Sequence, residues 1–510
     1  MTRVSRSHRL TSDQLTELRS PRRDLLIETR SGPDEWTIAD GPFREYRRRL
    51  DVVEQRDGSW SVDETIEFRL ALPLWGPLFV PMVKRDLASL DRRPRSRWWW
   101  PSSEIVTERS ATLISVVAII SIVAGYLGVI ISQTLTFAST EFGADNAAQG
   151  RTFAAVRIGI VASIVFIRQA DRIGRRPLLI GFTVASILFT AVGALSPNLL
   201  ALGVSQAIAR GFATGLLTLI ALAVTEEVPA GARSLSIGLV TMATGFGAFL
   251  VIAVLPVADL SVTAWRFVYV VPLVFLPVMW WAWRRLPETR RFSVADKADA
   301  PAIVDRRRFI ILAVSAFFTT IFFSPASQFL NEYLRDELDF SASRISVFRT
   351  LVNVPVALFI LGAGFLADRV GRKPIGSIGI VFGAIGSAMT FFAGGALLWI
   401  AAMIGSWMSA GAYAAMRSYQ TELFPTRARA RVGGWIDVVT VSGSAVGLLI
   451  VGELAVRWGS LGPGLSLMLV GPVIVVAVLL LYFPETASTE LEAFNPDDPD
   501  PGLPAWRSTI

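Results

Sequence analysis

The 510-residue chain has no cysteine and one histidine, His8. The first absence removes disulfides, thiol nucleophiles and Cys-based metal sites. The second removes any histidine proton relay from the apolar part. His8 lies in a polar Arg/Ser-rich stretch that reads as a solvated tail. Charge is scarce as well: 18% Asp, Glu, Lys and Arg against 52% hydrophobic residues. A soluble chain of this length needs a more polar surface. No Gly-rich phosphate loop, nucleophile elbow or metal-ligand cluster is visible. No ATP site, cofactor or enzyme activity is therefore expected. The net charge of +7 is carried mostly by Arg. These charges fall between apolar runs, which argues for orientation in a bilayer and against nucleic acid as a partner.

What the chain has in abundance is long apolar runs. None stands at the N-terminus as a cleavable signal would. From about residue 112 they follow one another, each long enough to cross ~30 Å of hydrocarbon as a helix. Twelve are expected, near 112–136, 153–169, 177–196, 199–224, 235–257, 265–285, 308–333, 346–366, 374–393, 396–420, 433–454 and 462–483. Their Gly, Ala and Ser content suits close helix packing. With the N-terminus inside, the inner loops hold about 19 Arg/Lys and the outer ones about 6, the positive-inside pattern. Both termini are then cytosolic.

The expected organisation is an all-α membrane protein preceded by a small cytosolic α/β module. The divisions are 1–108 (module), 109–285 (first half), 286–308 (central loop), 309–485 (second half) and 486–510 (tail). The first ~30 residues are expected to be disordered. Residues 43–55 and 60–72 partly alternate around Asp57-Gly58, a hairpin signal. Residues 73–90 include a candidate amphipathic helix. DRRPRSRWWWP (91–101) reads as an interfacial anchor.

Three motifs recur at one spacing. IRQADRIGRRP (167–177) matches GFLADRVGRKP (364–374), with Asp171 and Asp368 separated by 197 positions. TEEVPAGAR (225–233) matches TELFPTRAR (421–429) at 196, and LPET (286–289) matches FPET (483–486) at 197. Shared register across three motifs predicts two six-helix parallel repeats. All three lie at the expected cytosolic helix ends, where charge costs no burial in lipid. Asp caps and Arg–Glu pairs there form a candidate gate. Its members are Asp171, Arg172, Arg175, Arg176, Glu226, Arg233, Asp368, Arg369, Arg372, Lys373, Glu422 and Arg429.

These motifs resemble those of the major facilitator superfamily, whose loop after helices 2 and 8 reads roughly G-x-x-x-D-R-x-G-R-R/K. The second copy fits fully; the first has Ile167 in place of the Gly. The E-x-x-P-x-x-x-R and P-E-T elements are similar to the sugar-porter branch and its metabolite:proton and aromatic-acid:proton relatives. The resemblance covers about 110–485. It implies a secondary transporter working by alternating access. It also implies a coupling Asp in helix 1, but GYLGVI (125–130) has Leu127 there, which cannot titrate. Where relatives often carry an Arg in helix 4 stands Gln206, with Arg210 one turn on.

Ionisable groups inside spans are functional candidates by default. Arg157 lies about 21 Å along helix 2 from Asp171, and Arg210 is similarly deep in helix 4. Two such cations suggest an anionic substrate. Gln133, Gln328, Asn331 and Tyr333 are further candidates for substrate contact. Glu332 and Asp437 are candidates for carrying a co-transported proton. The expectation is a cell-membrane carrier of a small organic anion, by symport or facilitated diffusion. A neutral sugar-like solute is the alternative, as is a transceptor that senses solute and signals through residues 1–108.

Overall fold

The computed structural model describes residues 1–56, 59–89, 105–167, 173–228, 230–287, 305–424 and 426–485. Within these, several side chains near 158–167, 225–235, 357–369 and 414–431 are not described. The anchor at 91–101, the Asp57-Gly58 turn and the 486–510 tail lie outside the described residues.

The module comprises β1 (Thr2–Leu10), α1 (Ser12–Leu18), β2 (Ile27–Gly32), β3 (Glu35–Asp40), β4 (Phe43–Glu54), β5 (Trp60–Leu70) and α2 (Gly76–Leu87). The strands form one antiparallel sheet in the order β1-β5-β4-β3-β2. Expected disorder over the first ~30 residues is corrected. β1 pairs with β5 along its whole length, from Thr2 opposite Phe68 to Leu10 opposite Trp60. His8 is likewise no tail residue: it sits on β1 with its ring 3.8 Å from the Glu64 carboxylate. Helices α1 and α2 contribute Leu15, Leu18, Val83 and Leu87 to the sheet's apolar clusters, so the module is α+β rather than α/β.

The buried face of the sheet also holds charge. Arg48 is fully buried between Tyr46 and Leu50. It donates to both Glu28 oxygens, at 2.9 and 2.8 Å, and lies 4.0 Å above the Trp36 ring. Leu18 O, Ser20 O and, at 3.4 Å, Glu64 Oε1 accept its remaining protons. A buried ion is tolerated only when its donors are satisfied in this way.

The bundle follows. Its first half contains α3 (Glu108–Phe142), α4 (Asn146–Ile167), α5 (Arg175–Gly193), α6 (Leu199–Glu227) and α7 (Ala230–Val254). The short α8 (Arg266–Val270) and α9 (Leu276–Arg285) complete it, joined by a 3-10 turn whose N-terminal region holds Pro272. The second half contains α10 (Arg306–Gln328), α11 (Leu330–Glu332), α12 (Ala342–Asn353), α13 (Val356–Val370), α14 (Arg372–Thr390), α15 (Gly395–Glu422), α16 (Thr426–Trp458), α17 (Leu461–Leu467) and α18 (Val470–Tyr482). Pro325 inside α10 removes one ladder donor, and the helix breaks four residues later at Phe329 (ψ 0°).

Among the described residues, ten helical stretches are long and apolar enough to cross a membrane. The other two expected spans, 153–169 and 374–393, coincide with α4 and α14.

Small residues set the helix spacing. A Cβ on Gly125 would lie 1.9 Å from Thr244 O, and one on Gly247 would lie 1.8 Å from Ile122 O, so α3 and α7 touch backbone to backbone. Gly159 meets Ala207 O in the same way, fastening α4 to α6.

The repeated loop motif has a local reason. Gly174 (φ +102°) and Gly371 (φ +120°) precede α5 and α14, in a conformation that favours glycine. Glu485 of the FPET motif then accepts from the Arg372 and Lys373 amides at 2.8 and 3.1 Å. A carboxylate there satisfies free amides and faces the positive end of the helix.

The apolar core has two different ends. At the end far from the module, one cluster unites both halves, from Tyr126, Ile130 and Val251 to Phe322, Phe348 and Leu448. At the module end the described core is divided. One cluster belongs to the first half, around Leu113, Leu179, Leu216 and Met279. A separate one belongs to the second, around Leu312, Phe424, Ile436 and Val475.

Candidate functional site

Two arginines lie close enough inside the bundle to act on each other electrostatically. Arg157 projects from α4 and Arg210 from α6. Their approach follows from the Gly159–Ala207 contact, beside which a Cβ on Gly211 would lie 2.7 Å from Gly159 O. Gly128 of GYLGVI leaves space for the second guanidinium: a Cβ there would sit 3.3 Å from Arg210 Nη1. That nitrogen is buried and has no hydrogen-bond acceptor among the described residues. Arg157 Nη2 is 3.4 Å from Ser324 Oγ across the interface between halves. Ser324 and Ser444 join their hydroxyls at 2.5 Å behind it. Among the described residues, no carboxylate pairs with either arginine. Two adjacent cations in an apolar bundle repel each other unless an anion joins them.

Leu127 is buried in the first-half cluster, so α3 presents no titratable group at that position. Gln206 is buried with its amide 3.4 Å from Ser205 Oγ.

A second polar group bridges the halves nearer the far end. Arg349, absent from the sequence-derived candidates, is buried on α12. Its Nε donates to Asn331 Oδ1 at 2.8 Å and its Nη2 to Ser327 O at 3.2 Å. Asn331 in turn donates to Gln133 O and Oε1 at 3.0 and 3.1 Å. Arg349 also lines a cavity of about 430 Å³ in the second half, with Thr320, Asn353, Ser406 and Tyr413. The signal for it existed in the sequence: an Arg inside the run 346–366.

Glu332 is buried where α11 faces α3. It accepts a hydrogen bond from Thr136 Oγ1, and Asp336 adjoins it. Gln328 is half-buried, with its Oε1 enclosed and without a donor among the described residues. Tyr333 is aimed at the α14–α15 turn, donating to Ala393 O at 3.2 Å and packing 5.0 Å from the Phe391 ring. Asp437 is exposed on α16.

Further contacts close the far end. Asp259 accepts from the Ala342 and Ser343 amides at 2.7 and 2.8 Å, capping α12 from the other half. Ser346 Oγ donates to Ile252 O at 2.6 Å, and Arg151 bonds Glu453 at 3.1 Å.

Of the expected gate, Asp171 and Arg172 lie outside the described residues. The side chains of Glu226, Arg233, Asp368, Arg369, Glu422 and Arg429 lie outside them too. Arg175 is buried at the start of α5. Arg176 donates to Trp283 O at 2.5 Å and stacks 4.8 Å over that indole. Arg372 and Lys373 lend their amides to Glu485. Nearby, Arg109 pairs with Glu227 at 2.9 Å.

A helical bundle of two halves, joined at one end around a polar interior, defines a membrane transporter of small metabolites. The chain belongs to the Major Facilitator Superfamily, whose family model matches residues 113–341 and 312–509. It is similar to the cis,cis-muconate transport protein of Acinetobacter baylyi, 25% identical over 66% of this chain and 86% of that one. Among solved structures, an inward-open form of the xylose transporter XylE from E. coli superposes with a TM-score of 0.63. That match has 17% identity and covers 76% of this chain and 99% of XylE. The nucleoside transporter NupG, solved as a point mutant, gives 0.62 at 13% identity, covering 73% of this chain and all of NupG.

Proposed function

We propose that the chain moves a small organic anion across the cell membrane by alternating access, with twelve spanning helices and both termini cytosolic. The observation that carries this is the Arg157–Arg210 pair, unmatched by any carboxylate among the described residues. A carboxylate bound between them joins two guanidinium forks by charge-assisted hydrogen bonds. The serine pair Ser324 and Ser444 supplies neutral partners from the opposite half, so one anion touches both halves. The muconate carried by the Acinetobacter relative is itself a dicarboxylate, which supports this reading. The distribution of Arg and Lys supports the module end as cytosolic. The far-end core that unites both halves, with the described module-end core divided between them, supports an inward-facing reading.

The test is a thermal-shift screen of the purified protein against organic acids and sugars, repeated with Arg157→Ala. Ligand binding to the folded state raises its apparent stability by mass action. A carboxylate that stabilises the wild type and not the variant is the expected result. Stabilisation by a neutral sugar, unaffected by the substitution, would overturn the anion reading.

For coupling, Glu332 is the proposed proton carrier. It is a buried carboxylate held between α3 and α11, so its protonation bears on the far-end closure. Glu332→Gln is expected to abolish accumulation driven by an inward proton gradient in proteoliposomes while leaving exchange down a substrate gradient. Undiminished proton-driven accumulation would assign coupling elsewhere.

A further inference from the structure

The module and the bundle enclose two adjoining spaces whose linings do not include Arg157 or Arg210. One is an apolar groove of about 610 Å³, walled by Trp75 and Phe79 from the module side and by Ile114, Ile122, Met242 and Phe246 from α3 and α7. Met242 and Phe246 are 71% and 53% exposed. They lie on helices that span the bilayer, so the groove opens towards lipid. From Ala111 to Ile122 it follows α3 for about 17 Å, the scale of an acyl chain.

The other space is a cleft of about 1230 Å³ beside the start of α3 and the end of α9. Arg44, Arg69, Arg284 and Arg285 line it, against Asp40 and Glu108. Arg109 lines it too but is engaged by Glu227. Arg284 stacks 3.7 Å over Trp280, the pairing of guanidinium and indole that suits headgroup depth. Leu70 and Leu72 line both spaces, so the basic cleft and the apolar groove adjoin. The module is fixed at this place. Trp75 Nε1 donates to Ser115 O at 3.0 Å, and Thr112 Oγ1 to Ala71 O at 3.3 Å.

We propose that this junction binds one anionic phospholipid, its phosphate in the arginine-lined cleft and one acyl chain in the groove. Basic charge at the interface and an apolar channel descending from it are the two halves of such a ligand. A soluble peptide would have to enter the groove from the hydrocarbon side. The lipid would cement the module to the bundle, making its attachment depend on bilayer composition. This rests on the chain being embedded in a membrane and not on the anion site.

Native mass spectrometry of the delipidated full chain tests it, with palmitoyl-oleoyl phosphatidylglycerol against the phosphatidylcholine of the same chains. The wild type is expected to retain one phosphatidylglycerol in preference to phosphatidylcholine. The double substitution Arg284→Ala/Arg285→Ala is expected to lower phosphatidylglycerol retention about tenfold and to leave phosphatidylcholine unchanged. Leu78→Asp, at an exposed position lining the groove, is expected to weaken retention of both. Equal retention of the two lipids by the wild type would overturn the proposal. So would unchanged phosphatidylglycerol in the arginine variant, or full displacement by glycerol phosphate, which carries no chain. Size-exclusion profiles check that the variants fold. Carboxylate thermal shifts unchanged in both variants separate this site from the transport site.

Discussion

Arg210→Ala is expected to lower carboxylate uptake roughly 100-fold. The nitrogen facing Gly128 has no acceptor among the described residues, so a bound anion would take the full charge-assisted bond. Truncating one partner of a desolvated charge pair costs about 3 kcal/mol, or about two decades of affinity. Initial uptake rates of a labelled carboxylate into proteoliposomes measure it. Arg210→Lys should recover only part of the loss, because an ammonium cannot reproduce a bidentate fork. The fold is expected to survive, since the substitution removes an unpaired buried charge. A variant with wild-type uptake would remove Arg210 from the site.

Gly247→Leu is expected to prevent recovery of folded protein. Its Cβ would lie 1.8 Å from Ile122 O, and the obstacle is backbone rather than a mobile side-chain tip. Relief requires α3 and α7 to separate by more than an ångström along a contact that Gly125 also makes. Ordinary overpacking costs about 1–3 kcal/mol; separating two helices exceeds that. The control lies two residues away. A Cβ on Gly245 meets nothing within 4 Å, so Gly245→Ala should leave the melting temperature unchanged or slightly raised. Equal melting of the two variants would show that the close approach does not hold these helices.

The bundle was legible because lipid imposes a coarse rule: long apolar runs become helices, and charge retreats to their ends. The repeated Gly-Arg motif was legible for the same reason, since Gly174 and Gly371 occupy one backbone conformation in both halves. The N-terminal strand was not. TRVSRSHRL carries little apolar signal of its own, and its partner β5 lies about 60 residues away, so long-range pairing decides its structure. Arg48 and Glu28 were hidden similarly, because charges on a strand read as a solvated face until a helix covers them. At the site, charge inside a span exposed Arg157 and Arg210. The same signal marks Arg349, whose hydrogen bonds to Asn331 and Ser327 depend on a break between α10 and α11 that no local pattern announces. Glu485 was seen as a repeat marker, while its work as a helix cap depends on a fold-back of 113 residues.

The far-end core that unites both halves bears on how variants of this protein should be compared. Under the alternating access proposed above, the far-end closure would dissolve in every cycle and the module end would close in its stead. Far-end contacts such as Asp259 to α12, or Asn331 between Gln133 and Arg349, would then hold one conformer and not the fold as a whole. Weakening them shifts the ratio of inward to outward conformers by the free energy removed, about tenfold for each 1.4 kcal/mol. The melting midpoint, set by contacts common to both conformers, moves much less. Two substitutions of equal local cost can therefore differ sharply in consequence. On this reading one at the far end would retune which side of the membrane the site faces, whereas one in a Gly-packed helix pair would decide whether there is a carrier at all.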